Sequence, residues 1–123
     1  MADRPLVIVV DDDETVRNSL PDLLKVLGYA ARAYPSATAF LQSADLEKPR
    51  CLILDVSMPG MTGPELRQEL VRRGRQVPVI FITAYREDAV RSQMLAQGAV
   101  DCLLKPFSEA DLVGALAAAF ARP

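Results

Sequence analysis

Histidine and tryptophan are absent from this 123-residue chain, and aromatic residues make up only 6% of it. Without histidine, neither Ser-His-Asp nor Cys-His catalysis can operate, and zinc sites of the usual histidine-containing kinds are excluded. Cysteine is scarce as well. Cys51 and Cys102 are the only two, each inside an apolar run (Cys51-Leu-Ile-Leu and Cys102-Leu-Leu), a setting that reads as buried free thiols. Long hydrophobic runs are missing: those such as Val7–Val10 and Val79–Ile82 are four or five residues, far short of a membrane span. Met1–Leu6 contains Asp3, Arg4 and Pro5 and no hydrophobic signal core. A large charge of one sign is also lacking, since 14 Lys+Arg against 16 Asp+Glu leave a net charge of −2. A nucleic-acid surface would need clustered cations without compensating acids. The expectation is a cytoplasmic protein with no membrane contact and no direct contact with nucleic acid.

Half of the residues are hydrophobic, and the length suits one domain over residues 1–123. A chain of this size buries about 65% of its unfolded surface, enough for a core without staples. No repeat, linker or low-complexity stretch divides it. Short apolar runs bounded by turn residues recur at Leu6–Val10, Cys51–Leu54, Val79–Ile82 and Val100–Leu104, with a weaker one at Ala30–Tyr34. Continuous runs of this length suit strands covered on both faces, as in parallel sheets.

Helical spacing fills the gaps. Val16, Leu20, Leu23, Leu24 and Leu27 mark one face of a first helix that Gly28 ends. Thr62-Gly-Pro-Glu65 forms a capping box that opens a third helix, running to Gly74, and Ser108-Glu-Ala-Asp111 opens a last one in the same way. Ser36–Ser43 and Arg86–Gln97 supply the second and fourth, so β-α repeats five times. Right-handed crossovers then predict an α/β fold: a doubly wound, five-stranded parallel sheet with helices on both faces. Pro21 breaks a local rule by sitting inside the first helix, where a kink or locally opened turn is expected.

The strong strands all end in polar residues. The first runs into Asp11, Asp12 and Asp13, the third into Asp55, the fourth into Thr83 and the fifth into Lys105. Each has a bland reading on its own. Asp12 or Asp13 can cap the first helix, Asp55 can be a turn residue before Met58-Pro59-Gly60, Thr83 suits a strand, and Lys105 can be a solvated loop lysine. Four strand ends carrying one compatible chemistry weigh against that account. In an open parallel sheet, ligands bind beyond the carboxyl ends of the strands. Clustered acids supply oxygen ligands for Mg2+, one carboxylate can act as a nucleophile, and a hydroxyl and an ammonium can hold phosphoryl oxygens. The chemistry that fits is phosphoryl transfer.

The chain resembles the response-regulator receiver domains of two-component signalling over essentially its whole length. The residues that carry the resemblance are Val-Val-Asp11-Asp12-Asp13-Glu14, Leu-Ile-Leu-Asp55-Val-Ser-Met-Pro59-Gly-Met-Thr-Gly63, Ile-Thr83-Ala84 and Leu-Lys105-Pro106-Phe107. The resemblance implies a flavodoxin-like (βα)5 fold with strand order 2-1-3-4-5. It further implies that Asp55 accepts the phosphoryl group, assisted by Thr83 and Lys105. Mg2+ or Mn2+ would be held directly by Asp12, largely through water by Asp11, and by Asp55 and the Ser57 carbonyl; Asp13 is not among these ligands. Implied partners are a histidine kinase or phosphotransfer protein and an output domain outside this chain. The Met-Pro-Gly-Met-Thr-Gly loop looks most like receivers joined to helix-turn-helix, DNA-binding outputs, hence transcriptional regulation. The resemblance also implies a switch with only self-directed phosphotransfer and autodephosphorylation, rather than an enzyme. A phosphorylation-dependent homodimer through the fourth helix and fifth strand is expected, with Leu95 as an exposed contact on that helix.

One position departs from the pattern. The residue three before the lysine is Cys102, where the family usually has Tyr or Phe as a rotamer switch. Coupling is therefore expected through Thr83–Tyr85 and the fourth helix. Three other functions fit the residues less well. A haloacid-dehalogenase-type phosphatase would need an acid two residues past the nucleophile, where this chain has Ser57. A flavodoxin-like electron carrier would need a phosphate loop after the first strand, where three aspartates repel phosphate. A phosphorylation-independent adaptor would have no use for the acids and Lys105.

Overall fold

A computed structural model describes residues 4–84 and 88–121, with Asp88 described by its backbone alone. The elements alternate in order: β1 (Leu6–Val10), α1 (Glu14–Val26), β2 (Ala30–Tyr34), α2 (Ala37–Leu41), β3 (Cys51–Asp55), α3 (Gly63–Arg72), β4 (Val79–Thr83), α4 (Asp88–Ala96), β5 (Asp101–Leu104) and α5 (Glu109–Ala121). All neighbouring strands pair in parallel, in the order β2-β1-β3-β4-β5. This is the doubly wound, flavodoxin-like sheet that the alternation and the resemblance predict.

The side-chain period of two on each strand divides the core into two layers. Val7, Val9, Ile53, Ile80 and Ile82 face α1 and α5, meeting Leu20, Leu24, Leu112 and Leu116. Ile8, Val10, Leu52, Leu54 and Phe81 face the other way, meeting Phe40, Leu66, Leu70 and Met94. Both faces are covered, so the central strands are apolar up to their carboxyl ends. Each fully buried Leu or Ile contributes roughly 1.5–3 kcal/mol over leaving it in water. Cys51 and Cys102 lie in these layers as buried free thiols, and burial pushes Cys51 up to about 12.

Local chemistry sets the helix ends. Thr62 and Glu65 exchange side chain and backbone hydrogen bonds at 2.9 and 3.2 Å, and the Asp111 N–H donates to Ser108 Oγ at 3.0 Å. Ser36 caps α2. Gly28, Gly74 and Gly98 follow α1, α3 and α4 with positive φ. At Pro21 one of the two expected alternatives, an opened turn, is not found: α1 continues through it to Val26. The proline has no N–H for the Arg17 carbonyl, and its ring is buried. A second difference concerns Leu95, which is half-buried, whereas Arg91 one turn before it is exposed. Nine residues of helix give too little periodicity to separate a core stripe from its neighbour.

Candidate functional site

The strand order reverses between β1 and β3, and the crevice beyond their carboxyl ends is where such sheets bind ligands. Asp11 follows the last residue of β1, Asp55 is the last residue of β3, and Thr83 is the last of β4. The apolar runs alone end β3 and β4 one residue earlier. In the structure the functional residues are themselves the final rungs, with Asp55 in register with Ile82 and Thr83 with Leu104. Lys105 follows β5, and its N–H donates to the Thr83 carbonyl at 2.7 Å, which fixes it at the same edge.

Three carboxylates meet there. Asp11, Asp12 and Asp55 each place a carboxylate oxygen within 4.8 Å of the others; Asp11 and Asp55 are buried and Asp12 is exposed. Lys105 reaches into this group, its Nζ 2.7 Å from Asp11 Oδ2 and 3.4 Å from Asp55 Oδ2. Asp13 points elsewhere. It caps α1, its Oδ1 accepting the Thr15 N–H at 2.9 Å, as its position at the helix start suggests. Ser57 lies beside the site, its N–H donating to Asp55 Oδ1 at 3.3 Å, and Thr83 is buried. Tyr85 lies outside the described residues.

The charges explain one another. Burial, then the negative charge of Asp11, pushes the Asp55 carboxyl up to about 7, against the opposing pull of Lys105 and the Ser57 N–H. For Lys105, burial disfavours the ammonium, but the close approach and charge of Asp11 and Asp55 outweigh it and the pKa rises. One ammonium thus faces two buried carboxylates and cannot neutralise both. Asp11 Oδ2 is buried, and its close partner among the described residues is the Lys105 ammonium, which it shares with Asp55. An oxygen-only, anionic donor set whose charge one ammonium cannot balance fits a hard divalent cation of the Mg2+ type.

Two supports show their part in the site only once the chain is folded. Arg17, one helical turn into α1, donates from Nη1 to the Asp11 carbonyl at 2.9 Å, while Asp11 Oδ1 accepts the Asp13 N–H at 2.9 Å. These bonds fix the turn that presents Asp11 and Asp12. Gly63 opens α3 directly against the Asp55 backbone, where no side chain fits. Away from the site, buried Asp45 is held by Tyr34 and Arg32, which lowers its pKa and ties the segment after α2 to β2.

Comparison with known proteins agrees with this geometry. Residues 7–117 match the family described as the response regulator receiver domain. The chain belongs to that family. It is 39% identical to the response regulator protein TmoT of Ectopseudomonas mendocina over 90% of this chain and 50% of that protein. To the transcriptional regulatory protein FixJ of Azorhizobium caulinodans it is 39% identical, over 94% of this chain and 55% of that protein. Among solved structures, a response regulator receiver protein from Burkholderia phymatum superposes with a TM-score of 0.83 at 40% identity, covering 98% of each chain. The chain therefore spans about half the length of the curated relatives it matches. A receiver domain is a signalling switch operated by phosphorylation, and the family partners with histidine kinases and output domains and binds Mg2+ at an acidic pocket. Among the described residues no helix is long and apolar enough to cross a membrane.

Proposed function

We propose that Asp55 is the phosphoacceptor of this receiver domain, and that the observation carrying this reading is the position of Lys105 Nζ between the Asp55 and Asp11 carboxylates. An Asp55 carboxylate oxygen attacks the phosphorus of a phosphohistidine on a partner kinase or phosphotransfer protein, or of an acyl phosphate. The O–P bond forms as the bond from phosphorus to the donor breaks, and the imidazole or carboxylate departs with the electron pair. The donor must come from outside, since this chain has no histidine. Lys105 and the Thr83 hydroxyl hold the phosphoryl oxygens, and Lys105 pairs with the charge that arrives. Asp11, Asp12, Asp55 and the Ser57 carbonyl are the residues that would hold Mg2+ or Mn2+, with Asp13 kept to its cap. Bound there, the cation supplies the positive charge that lets several carboxylates and a phosphoryl group share one crevice. Water reverses the modification by hydrolysing the acyl phosphate, so the only chemistry is self-directed.

The output is a change at the face made by α4 and β5. β5 is an edge strand, and Leu104 at its end is 36% exposed. Arg91 and Asp101 pair across the same face at 3.0 Å. We assign to it a phosphorylation-dependent homodimer contact and the route to an output domain outside this chain. The FixJ relative is a transcriptional regulator, which favours a DNA-binding output and a cytoplasmic setting. Mass spectrometry after treatment with acetyl phosphate and Mg2+ tests the core of this reading. One added phosphate is expected, absent from Asp55→Asn; normal incorporation in that variant would remove Asp55 from its role.

A further inference from the structure

The opposite edge of the sheet carries a second polar cavity. It has a volume of about 470 Å3 and lies where the ends of α3 and α4 meet the start of β4, lined by Arg67, Arg75, Gln76 and Gln97 with Leu70 and Val77 as apolar wall. This volume falls in the range of small-molecule sites, which are commonly roughly 300–1,000 Å3. The phosphoacceptor site uses none of these residues.

Neither arginine has a close carboxylate among the described residues. Arg75 Nε is buried with no hydrogen-bond partner among the described residues, and its nearest acid, Glu47, stands 3.9 Å away on a side chain that is 76% exposed. Arg67 gives Nη1 to the Gln97 carbonyl at 2.6 Å and lies against Gly98, where a Cβ would come within 2.9 Å of Nη2. That carbonyl ends α4, a helix with no basic residue in its last turn, so Arg67 is positioned by the helix end. It has no carboxylate partner among the described residues. The other arginines nearby, Arg72 and Arg73, are both taken by Glu69. A buried donor without an acceptor is costly, and a carboxylate is the group whose two oxygens match guanidinium geometry.

We propose that this cavity binds a small organic carboxylate, its charged end between Arg75 and Arg67 and its apolar body against Leu70 and Val77. Glu47 is the weak internal competitor for Arg75.

Benzoate titrated into the 15N-labelled chain tests this, with uncharged benzamide as the control. Saturable shifts are expected at the amides of Gln76, Val77, Gln97 and Gly98, with benzamide giving none. Arg75→Ala should weaken binding by about tenfold, the scale of one charge-assisted hydrogen bond. Glu47→Gln should tighten it, and Arg91→Ala, on the α4–β5 face, should leave it unchanged. The same spectra show whether each variant is folded, and Glu47→Gln keeps the test decisive if Arg75→Ala is not. Equal shifts with benzamide, or affinity indifferent to both Arg75 and Glu47, overturn the proposal. A glutamate-containing peptide that binds where benzoate does not would also overturn it, by assigning the cavity to a protein segment.

Discussion

A Cβ added to Gly63 would lie 2.2 Å from the carbonyl oxygen of Asp55 and 3.2 Å from Phe81 Cε1. The first contact is with backbone, which cannot rotate away, so either α3 or the end of β3 must move. The Gly63 N–H also faces the Val56 carbonyl at 3.3 Å, so the two segments are tied as well as close. Gly63→Ala is expected to cost about 3 kcal/mol, at the upper end for overpacking. Because the displaced residue is Asp55 itself, phosphate incorporation should fall too. Chemical denaturation and acetyl-phosphate labelling of the same sample check both. A variant of unchanged stability would show that α3 yields more easily than this packing allows.

The Asp55 carboxyl has its pKa raised to about 7 in the folded state, chiefly by burial and then by Asp11, against about 3.9 in an unfolded chain. The folded state therefore holds this proton more tightly. Its contribution favours folding below about pH 4 and is progressively lost as pH rises towards about 7, after which the full cost of the buried charge is present. Asp55→Asn should stabilise the metal-free domain at pH 8 by roughly 1–2 kcal/mol, a melting-point rise of a few degrees, and by much less at pH 4. Thermal unfolding at the two pH values decides it. Equal effects at both would mean that Lys105 already neutralises the charge.

What can be read before folding, and what cannot, divides along the range of the interactions. Asp11, Asp55, Thr83 and Lys105 are legible because each terminates an apolar run, and parallel strands bring their carboxyl ends to one edge. The Thr62-Gly-Pro-Glu65 box announces its helix for the same local reason. Gly63 is legible as part of that box but not as the residue packed under Asp55, since the contact joins different elements. Arg17 gives no signal; a helical arginine after three aspartates reads as a solvated charge until α1 is docked. Leu95 reads as a surface residue because a short stripe passes for the whole buried face, whereas its side chain is half-buried.

Asp12 and Asp13 are adjacent acids with separable work. Asp12 belongs to the carboxylate cluster, and Asp13 caps α1 through the Thr15 N–H. Asp12→Ala should abolish tight Mg2+ binding and leave metal-free stability nearly unchanged. Asp13→Ala should cost about 1 kcal/mol, the usual loss of an N-cap, with Mg2+ affinity far less affected. Calorimetric Mg2+ titration paired with urea denaturation separates the two. Equal weakening of Mg2+ binding would mean the ligands are wrongly assigned.

Val113 tests whether the proposed dimer contact extends from α4 and β5 onto α5, without disturbing the core. It is 44% exposed on α5, so Val113→Asp should shift stability by no more than about 0.5 kcal/mol, as surface changes usually do. Phosphorylation should proceed normally, while self-association of the phosphorylated domain measured by ultracentrifugation should fall. Leu95→Asp is a poorer probe, because its half-buried side chain mixes folding with association. Undiminished association in folded, phosphorylated Val113→Asp would move the interface away from α5.

Cys102 occupies the place where an aromatic switch residue is usual, and it is packed among Met94, Ala99 and Phe81 on the α4 side of the sheet. Burial raises the pKa of its thiol, so the group stays protonated and acts as a small apolar filler. A thiol has no long axis whose rotation could report on Thr83. We propose that coupling instead runs through Thr83–Tyr85 and through α4 moving as a unit. Cys102→Ala removes one sulfur from the core, with a cost of about 1 kcal/mol expected from the lost burial. It should retain the chemical-shift response of α4 to beryllofluoride, whereas Tyr85→Ala should diminish it. Loss of the α4 response in Cys102→Ala, with Tyr85→Ala unaffected, would make the thiol the transmitting group and overturn this route.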